Sequence, residues 1–290
     1  MLRIQSLLTK AASTLQSDSP LLDAEVILCW LLEKPRSYLR TWPDKQLDPK
    51  QGNDFWALIE QRQKGIPVAY ITGKREFWSR EFVVSKDVLI PRPDTELLIE
   101  LCLDLIPENK SVKLLDLGTG SGIIAITLAA ECPQLQITAC DFSNAALDIA
   151  RHNASRHQIN NIEFFQSDWF GSIPENKFRL IVSNPPYLAE DDEHLHSGDL
   201  RFEPQTALIA NENGLSDIRN IAGTARQYLE NGGHLLIEHG YQQQQTVQAI
   251  FKDFHYHNIK THTDLSGQPR VTYGQWNNHE PGNYSNPAKN

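Results

Sequence analysis

The sequence predicts an α/β fold in which a doubly wound, mostly parallel sheet follows a small helical domain. Three observations support this prediction. Apolar residues have helical spacing over residues 1–75, strand and helix patterns alternate from residue 95 onward, and a glycine-rich turn joins one strand to a helix. Ligands of such sheets bind beyond the carboxyl ends of the strands, so polar residues at those ends are the candidates for a functional site.

Residues 1–75 are predicted to form a helical domain. One face of its first helix carries Ile4, Leu7, Leu8, Ala11 and Leu15. A second helix is predicted to begin at Ser19, as the capping residue, and Pro20, and a third at Asp48 and Pro49. This domain contains no residues with an obvious chemical role.

The pattern changes after the helical domain. Residues 76–94, "EFWSREFVVSKDVLIPRPD", contain short β-rich runs and are predicted to form a linker with one or two β-hairpins. The α/β domain is predicted to span residues 95–276. Residues 277–290 are polar and rich in proline and glycine, which predicts disorder.

Composition restricts the classes of function. The formal charge of −9 argues against an extended surface that follows nucleic-acid phosphates. The four cysteines lack CxxC spacing, and we interpret them as buried thiols in a reducing compartment. No segment approaches 18 consecutive apolar residues, so no membrane span is predicted. We therefore expect a cytoplasmic protein that binds no membrane and no nucleic acid directly.

The segment "LLDLGTGSGIIA" joins a predicted strand to a predicted helix. Gly118, Gly120 and Gly122 allow the backbone to turn tightly and to approach a ligand. Asp116, at the strand end, is predicted to face the same space. Dinucleotide-binding loops follow GxGxxG, whose third glycine is replaced here by Ile123. The GxGxG spacing fits a ligand without a pyrophosphate.

Two further strands are predicted to end in acidic residues. Asp141 ends "QITACD", where a carboxylate can accept both hydroxyls of a ribose, although it could instead cap the next helix. Asp168 and Trp169 end "FFQSDWF" and suit an adenine amino group and ring, although Trp169 could belong to the core. Such an acidic lining favours a positively charged nucleoside, and S-adenosylmethionine, a sulfonium, fits it.

The segment "FRLIVSNPPY" ends a fourth strand with Asn184, Pro185, Pro186 and Tyr187. Two prolines terminate a strand and restrict Asn184 to an extended backbone, which could be no more than a stiff turn. The alternative is a binding site for a planar amide or aromatic amine. The Asn184 side-chain oxygen and the Pro185 carbonyl would each accept an N–H, and Tyr187 would stack on the planar group. The nitrogen lone pair would then face the sulfonium methyl group. We favour this alternative.

Six segments in order resemble the release-factor glutamine methyltransferases, the PrmC/HemK family: "AYITGKREFWSREFVVSKDVLIPRPDTE", "DLGTGSG", "SDWF", "SNPPY", "RFEPQTAL" and "LLIEHG". The resemblance covers residues 1–275. It implies a Rossmann-like class I S-adenosylmethionine-dependent methyltransferase domain with S-adenosyl-L-homocysteine as product. Its implied substrate is the glutamine of the Gly-Gly-Gln loop of peptide chain release factors, methylated on N5, which modulates translation termination.

The resemblance also implies roles for individual residues. Asn184 and Pro185 are implied as catalytic, and residues 184–187 as substrate-binding. The helical domain and hairpin would help to bind the release factor, and the protein would act as a monomer. The implied cofactor-binding residues, counting those that the strand-end argument also selects, are Asp116, Gly118, Thr119, Gly120, Ser121, Gly122, Asp141, Asp168, Trp169 and Asn184.

Several alternatives stay open. NPPY and the glycine loop also occur together in amino-group methyltransferases that act on RNA or DNA bases. A dehydrogenase would need the glycine that Ile123 replaces, and a non-enzymatic cofactor sensor would have no use for NPPY.

The segment "EDDEHLHSGD" matches no metal-site spacing and is interpreted as a solvated loop that could order over the substrate, with no metal expected. Glu238 and His239 are interpreted as structural hydrogen-bonding residues, with a contribution to the cleft as the alternative. Spacing assigns no individual roles to Arg92, Asp94 and Glu96.

Overall fold

The computed structural model describes residues 3–107, 110–174 and 177–278 of the 290-residue chain. Contacts between Cα atoms divide the chain into two compact units. The first comprises residues up to 76 together with 81–90 and 191–204, and the second comprises residues 77–80, 91–190 and those from 205 onward. Within the described ranges, no helix is long and apolar enough to cross a membrane. The predicted disorder after residue 276 falls, from residue 279 onward, outside the described residues.

Helices make up most of the first unit. They are α1 (Ile4–Ala12), α2 (Pro20–Leu32), α3 (Arg36–Thr41), α4 (Pro49–Gln63) and α5 (Val68–Thr72). The apolar face predicted for α1 is confirmed for Ile4, Leu7, Leu8 and Ala11, which are buried in the core of this unit. The fifth predicted residue, Leu15, is buried in the same core but lies beyond the end of the helix at Ala12. The helices α3 and α5, of six and five residues, were not predicted because they are too short to show a periodic pattern.

The predicted helix starts differ in their capping. Asp48 caps α4, since its Oδ1 accepts the Gln51 N–H at 2.8 Å and Gln51 Oε1 accepts the Asp48 N–H at 3.3 Å. Ser19 precedes α2, but the prediction that its side chain caps the helix is wrong. Its ψ of 61° lies outside the extended region that a capping residue adopts, whereas Asp48 has a ψ of 160°.

Residues 191–204 contain most of the acidic segment that was expected to be a solvated loop, and they count with the first unit. Arg62 binds Asp23 at 2.8 Å and Asp199 at 3.1 Å, while the buried Glu203 carboxylate accepts the Ile90 N–H at 3.2 Å. The distal part of this loop is therefore held by ion pairs and hydrogen bonds. Among the described residues, no group of three or more histidine, cysteine, aspartate or glutamate side chains is placed to hold a metal ion.

One two-stranded hairpin follows α5 in the described part of the chain. Its strands are β1 (Lys74–Phe77) and β2 (Arg80–Val83). Trp78 and Ser79 form the turn with φ of 52° and 56°, the left-handed conformation that two-residue hairpin turns require. The Glu96 carboxylate accepts the Trp78 backbone N–H at 3.1 Å, and Glu131 accepts its indole N–H at 3.0 Å. These contacts hold a tryptophan in a backbone conformation that usually favours glycine.

The second unit contains a seven-stranded sheet in the described part of the chain. Its strands are β3 (Lys113–Leu117), β4 (Gln136–Asp141), β5 (Ile162–Gln166), β6 (Phe178–Ser183), β7 (Leu229–Glu238), β8 (His257–Thr263) and β9 (Pro269–Trp276). Their order is β5-β4-β3-β6-β7-β9-β8, with β3 to β7 parallel and β9 antiparallel to both neighbours. The accompanying helices are α6 (Glu96–Leu105), α7 (Ile123–Glu131), α8 (Asn144–Arg156), α9 (Asn211–Gly214), α10 (Ser216–Ala225) and α11 (Gln244–Asp253).

The predicted doubly wound sheet is confirmed for β3 to β7, whose central strands β3, β6 and β7 are buried apolar runs. The strands β8 and β9 and helix α6 were not predicted. The strand β8, "HNIKTHT", is largely polar and lies at the edge of the sheet, so it lacks the apolar pattern that marks the central strands. Hydrogen bonding to β9 determines its conformation instead.

The strand register places the carboxyl ends of β3, β4, β6 and β7 next to one another at one edge of the sheet. Leu117 pairs with both Cys140 and Ser183, and Ser183 also pairs with Ile237. The residues that follow these four in sequence therefore lie side by side at this edge, at the last residue of the strand or just after it. They are Gly118, Asp141, Asn184 and Glu238.

Candidate active site

The loop after β3 contains the three glycines selected from the sequence, all with positive φ. A Cβ atom on Gly122 would lie 2.7 Å from Ile126 Cδ1 and 3.2 Å from Ala150 Cβ, so glycine is needed there for packing between α7 and α8. A Cβ atom on Gly118 would face the Trp169 ring at 3.5 Å, whereas one on Gly120 would meet no atom within 4 Å. Of the three glycines, Gly120 therefore leaves open space beside the backbone, and Gly118 leaves space next to an aromatic ring.

Thr119 and Ser121, the other two residues of this loop, are buried. The Thr119 hydroxyl donates to Asp116 Oδ2 at 2.7 Å, and the Ser121 carbonyl accepts a hydrogen bond from the Asn153 side chain at 2.9 Å. Their polar groups thus stabilise the loop from within.

Asp116 lies inside the protein, and this corrects the expectation that its carboxylate faces the ligand space. Its Oδ2 accepts hydrogen bonds from Thr119 Oγ1 and, at 3.2 Å, from the Ala125 N–H at the start of α7. These two donors turn the carboxylate inward, where it is 0% exposed. Its Oδ1 has no hydrogen-bond partner among the described residues. Burial raises the pKa of Asp116 to about 7.

Asp141, at the end of β4, is half-buried beside the glycine loop. Its Oδ2 accepts the Gly120 N–H at 2.9 Å and its Oδ1 accepts the Ser143 N–H at 2.9 Å. The alternative that Asp141 caps the next helix is wrong, because Ser143 Oγ accepts the Ala146 N–H and caps α8. Burial raises the pKa of Asp141, and its carboxylate oxygens retain lone pairs for a further donor.

Asp168 and Trp169 lie in a turn after β5, which ends at Gln166, so the expectation that they form the strand end is wrong by two residues. Ser167 causes the turn, because its hydroxyl donates to the Trp169 carbonyl at 2.7 Å and accepts the Ser172 N–H at 2.9 Å. Asp168 is exposed.

Trp169 has a left-handed φ of 47° and is half-buried. Its indole N–H donates to Asp217 Oδ1 at 3.2 Å, and its ring lies next to Gly118. Trp169 also packs on the apolar core of the sheet, so the core alternative holds for part of the ring. Its position beside Gly118 places it next to the glycine loop.

The NPPY segment, residues 184–187, follows β6 and is bonded at both ends. Before it, the Ser183 hydroxyl donates to the Leu117 carbonyl at 2.8 Å, which links β6 to β3. After it, Leu188 forms a parallel bridge with Ile209, and Gln243 Nε2 donates to the Tyr187 carbonyl at 3.0 Å. A Cβ atom on Gly214 would lie only 2.0 Å from the Tyr187 oxygen. Contacts from distant parts of the chain therefore define the backbone of this segment.

Asn184 belongs to a buried polar group. Its Nδ2 donates to Thr95 Oγ1 at 3.2 Å, and both side chains interact with the Glu238 carboxylate and lower its pKa, although Glu238 Oε2 has no hydrogen-bond partner among the described residues. Glu238 is 1% exposed and Thr95 is 0% exposed. Burial raises the pKa of Glu238 to about 7, although these hydrogen bonds and the nearby Arg270 oppose the rise.

Sequence reasoning missed Thr95 and discounted Glu238. The only sequence signal for Thr95 is its place in the "IPRPDTE" segment. The same segment supplies Asp94, whose carboxylate binds Arg270 at 3.2 Å. Tyr187 is half-buried. Burial raises the pKa of its hydroxyl, and the negative charge of Glu238 raises it further.

The structure thus brings most of the selected residues to the carboxyl edge of adjacent strands. Gly118, Gly120, Asp141 and Trp169 form one group at the ends of β3 to β5, and residues 184–187 form a second group after β6. Asp116 supports the first group from inside, and the side chain of Asp168 is exposed to solvent.

This strand order, with an open glycine loop after β3 and an amide after its neighbour β6, defines a methyltransferase domain of the Rossmann-like class. Its likeness in fold to the methyltransferase from Pyrococcus furiosus has a TM-score of 0.53 at 14% identity, covering 78% of this chain and 99% of that one. The profile of the methyltransferase small domain matches residues 85–201, and that of the PrmC N-terminal domain matches residues 6–73.

Comparison with curated relatives identifies the family within this class. The chain is 51% identical to the release factor glutamine methyltransferase of Vibrio cholerae, over 94% of this chain and 96% of the relative. It is 48% identical to the protein of the same name from Aliivibrio fischeri, over 95% and 98% of the two chains. The chain belongs to the release factor glutamine methyltransferase family.

Proposed function

We propose that this protein transfers a methyl group from S-adenosylmethionine to the side-chain N5 of the glutamine in the Gly-Gly-Gln motif of peptide chain release factors. The observation that carries the proposal is the placement of Asn184 and Pro185. They follow β6, in register with the β3 end from which the glycine loop departs. Methylation of that glutamine would modulate translation termination.

The residues at the ends of β3 to β5 suit S-adenosylmethionine. Gly118 and Gly120 leave space beside the backbone, and Asp141 keeps lone pairs that the ribose hydroxyls can use. Trp169, next to Gly118, would flank the adenine ring. Thr119, Ser121 and Gly122 would shape the loop around the cofactor, and the Asp141 carboxylate beside the loop favours a cationic ligand. The chemistry available from bound S-adenosylmethionine is an electrophilic methyl group, whose C–S bond breaks with its electron pair passing to sulfur.

Asn184 and Pro185 would orient the substrate. The Asn184 Oδ1 and the Pro185 carbonyl each accept one N–H of the glutamine amide, which directs the nitrogen lone pair at the methyl carbon. As the N–C bond forms, both acceptors stabilise the positive charge on nitrogen, and the extra proton leaves to solvent. Such alignment can supply about 7–11 kcal/mol, and one preorganised contact about 2.7–4 kcal/mol. Pro186 and Tyr187 would contact the glutamine side chain.

The helical unit is proposed to bind the release factor. Four large apolar side chains of α2 and its surroundings are between 40% and 55% exposed: Leu21, Leu22, Trp30 and Trp42. Exposed apolar residues in this number suit a protein partner. The formal charge of −9 favours a protein over nucleic acid, and the four free cysteines suit a reducing, cytoplasmic compartment. We further propose that the enzyme acts as a monomer.

Peptide mass spectrometry tests this proposal. The purified protein is incubated with S-adenosylmethionine and an unmodified release factor, and in parallel with ribosomal RNA and DNA. One added methyl group on the glutamine of Gly-Gly-Gln is the expected result. Methyl transfer to a nucleic-acid base, with no change in the release factor, would replace the proposed substrate by the amino-group alternative.

A further inference from the structure

The buried group beneath the NPPY segment points to two more residues that serve the reaction. We propose that Glu238 and Thr95 are positioning residues that fix which end of the Asn184 side-chain amide faces the substrate. The inference rests on the proposed function, since the orientation matters only if Asn184 Oδ1 must accept an N–H from the bound amide.

Three separate parts of the second unit supply this group. Asn184 follows β6, Glu238 ends β7, and Thr95 ends the short 3₁₀ turn Pro93–Thr95 that precedes α6. The register pair of Ser183 with Ile237 makes Asn184 and Glu238 neighbours at the sheet edge. Thr95 Oγ1 lies 3.2 Å from Asn184 Nδ2 and donates its own hydrogen to the Glu238 carboxylate.

The polarity of the group follows from the donor and acceptor inventory. An ionised carboxylate accepts hydrogen bonds and donates none. The Thr95 hydroxyl gives its single hydrogen to Glu238, so it can only accept from Asn184. The end of the Asn184 amide that faces these two residues must therefore be the NH₂ group. Its oxygen is left to point toward the substrate position. A reversed amide would place Oδ1 against the carboxylate and lose both hydrogen bonds.

The charge of Glu238 is set by groups on several elements. Arg270 of β9 favours the ionised form, whereas Asp94 and burial oppose it, and the Tyr187 hydroxyl is neutral. With a pKa of about 7, Glu238 is ionised at pH 8 and enforces one amide orientation. A protonated Glu238 can donate as well as accept, so below pH 7 both orientations become possible. Methyl transfer should therefore become faster as the pH rises through 7.

The first test is a double-mutant cycle in single-turnover methyl transfer at saturating cofactor and release factor. We expect Glu238→Gln to slow transfer by roughly tenfold and to remove the pH dependence near 7. In the Asn184→Ala background, Glu238→Gln should change nothing further, because its effect passes through Asn184. Equal slowing in both backgrounds would overturn the proposal. His234→Gln is the matched control, a buried polar residue on the same strand, and should leave the rate unchanged.

Thr95 gives an independent pair of variants. Thr95→Ser keeps the hydroxyl and should keep the rate, whereas Thr95→Val keeps the shape and should slow transfer by roughly tenfold. Equal rates for the two would exclude the hydroxyl from positioning. Thermal unfolding of each variant separates this outcome from a loss of folded protein.

The second test does not depend on activity. In protein labelled with ¹⁵N-asparagine, the Asn184 side-chain signal is assigned by its absence in Asn184→Ala. It should shift with pH around a midpoint far above that of an ordinary glutamate, and the shift should vanish in Glu238→Gln. A shift that persists in Glu238→Gln, or none in the wild type, would overturn the inference. Absence of methyl transfer by the wild type to a release factor would instead count against the proposed function alone.

Discussion

Two loops at the same edge of the sheet achieve fixed backbones by opposite means. The glycine loop, residues 118–122, uses residues without side chains, all three glycines at positive φ. The proline loop, residues 184–187, uses two rings that restrict φ directly. The freedom of the glycine loop is removed by hydrogen bonds that join Thr119 to Asp116, Gly120 to Asp141 and Ser121 to Asn153, the last two partners lying 21 and 32 residues away in sequence. The proline loop is held by residues far along the chain, including Thr95 and Gln243.

This difference explains why the glycine loop can be predicted from the local sequence, whereas the side-chain contacts of the proline loop cannot. Glycine is chosen where a ligand or a helix must approach the backbone closely, and the local sequence then carries most of the information. Proline fixes a backbone but leaves side-chain orientation open, so the Asn184 amide depends on partners that no local motif identifies. Variants of each loop can separate cofactor binding from substrate orientation.

The largest effect is expected at the proline loop. Asn184→Ala removes the amide that accepts a substrate N–H, so kcat should fall by roughly 10²–10³-fold. Affinity for S-adenosylmethionine, measured by calorimetry, should stay within about twofold, because the glycine loop is intact. A variant with near wild-type kcat would exclude Asn184 from orienting the substrate.

The next effect concerns the backbone contact beneath Tyr187. Gly214→Ala would place Cβ 2.0 Å from the Tyr187 carbonyl at a φ of +82°, so the proline loop must move. We expect kcat to fall by roughly 10²-fold, the loss that about 1 Å of misplacement can cause. Gly267→Ala is the matched control, since it has a φ of +79° and no atom within 4 Å of the added Cβ. Equal effects of the two substitutions would show that backbone strain, rather than displacement of Tyr187, is responsible.

A substitution beside the glycine loop should change the affinity for S-adenosylmethionine rather than kcat. Asp141→Ala removes the acceptor of the Gly120 N–H and the proposed ribose contact, and a hydrogen bond to a charged group contributes about 1.5–3 kcal/mol. We expect a roughly 10- to 100-fold weaker Kd for S-adenosylmethionine by calorimetry. The exposed Asp148→Ala on α8 serves as the control for loss of negative charge. Unchanged affinity in Asp141→Ala would refute its role at the ribose.

The smallest effect is on stability. The carboxyl of Asp116 has its pKa raised from 3.8 to about 7 in the folded protein. Between these values the unfolded chain has released a proton that the folded protein still binds, so stability falls as the pH rises from about 4 to 7. Above pH 7 both states are ionised and the contribution is constant. Asp116→Asn should flatten this part of the urea-midpoint profile, because an amide does not titrate in this range. The variant should still fold, since the amide NH₂ can occupy the place of the unpartnered Oδ1.

Glu238 contributes with the same sign, because burial raises its pKa from 4.5 to about 7. Some slope should therefore remain in Asp116→Asn, and Glu238→Gln should remove a separate part of it. Profiles of wild type and Asp116→Asn that run parallel from pH 4 to 7 would mean that Asp116 is ionised in the folded protein throughout this range.

Much of the fold was predictable because it is written in local patterns. Buried apolar runs predicted β3, β6 and β7, and four apolar residues of α1 lie on the buried face that their spacing predicted. Strand β8 was missed because its conformation comes from pairing with β9 rather than from its polar sequence. The direction of Asp116 was missed because it depends on the Thr119 hydroxyl and the Ala125 N–H, whose positions exist only once the loop is folded.

The sequence by itself determined where the chain passes from strand to loop after β3, β4 and β6, the glycines that leave the backbone open, and the restricted backbone before Pro185, because these are properties of neighbouring residues. Only the tertiary structure decided which distant side chains complete them. Thr95 lies 89 residues before Asn184, and Glu238 reaches it from the adjacent strand β7. A hydrogen bond requires contact within about 3 Å, and only the register of the sheet and the packing of its helices create such a contact across so long a stretch of chain.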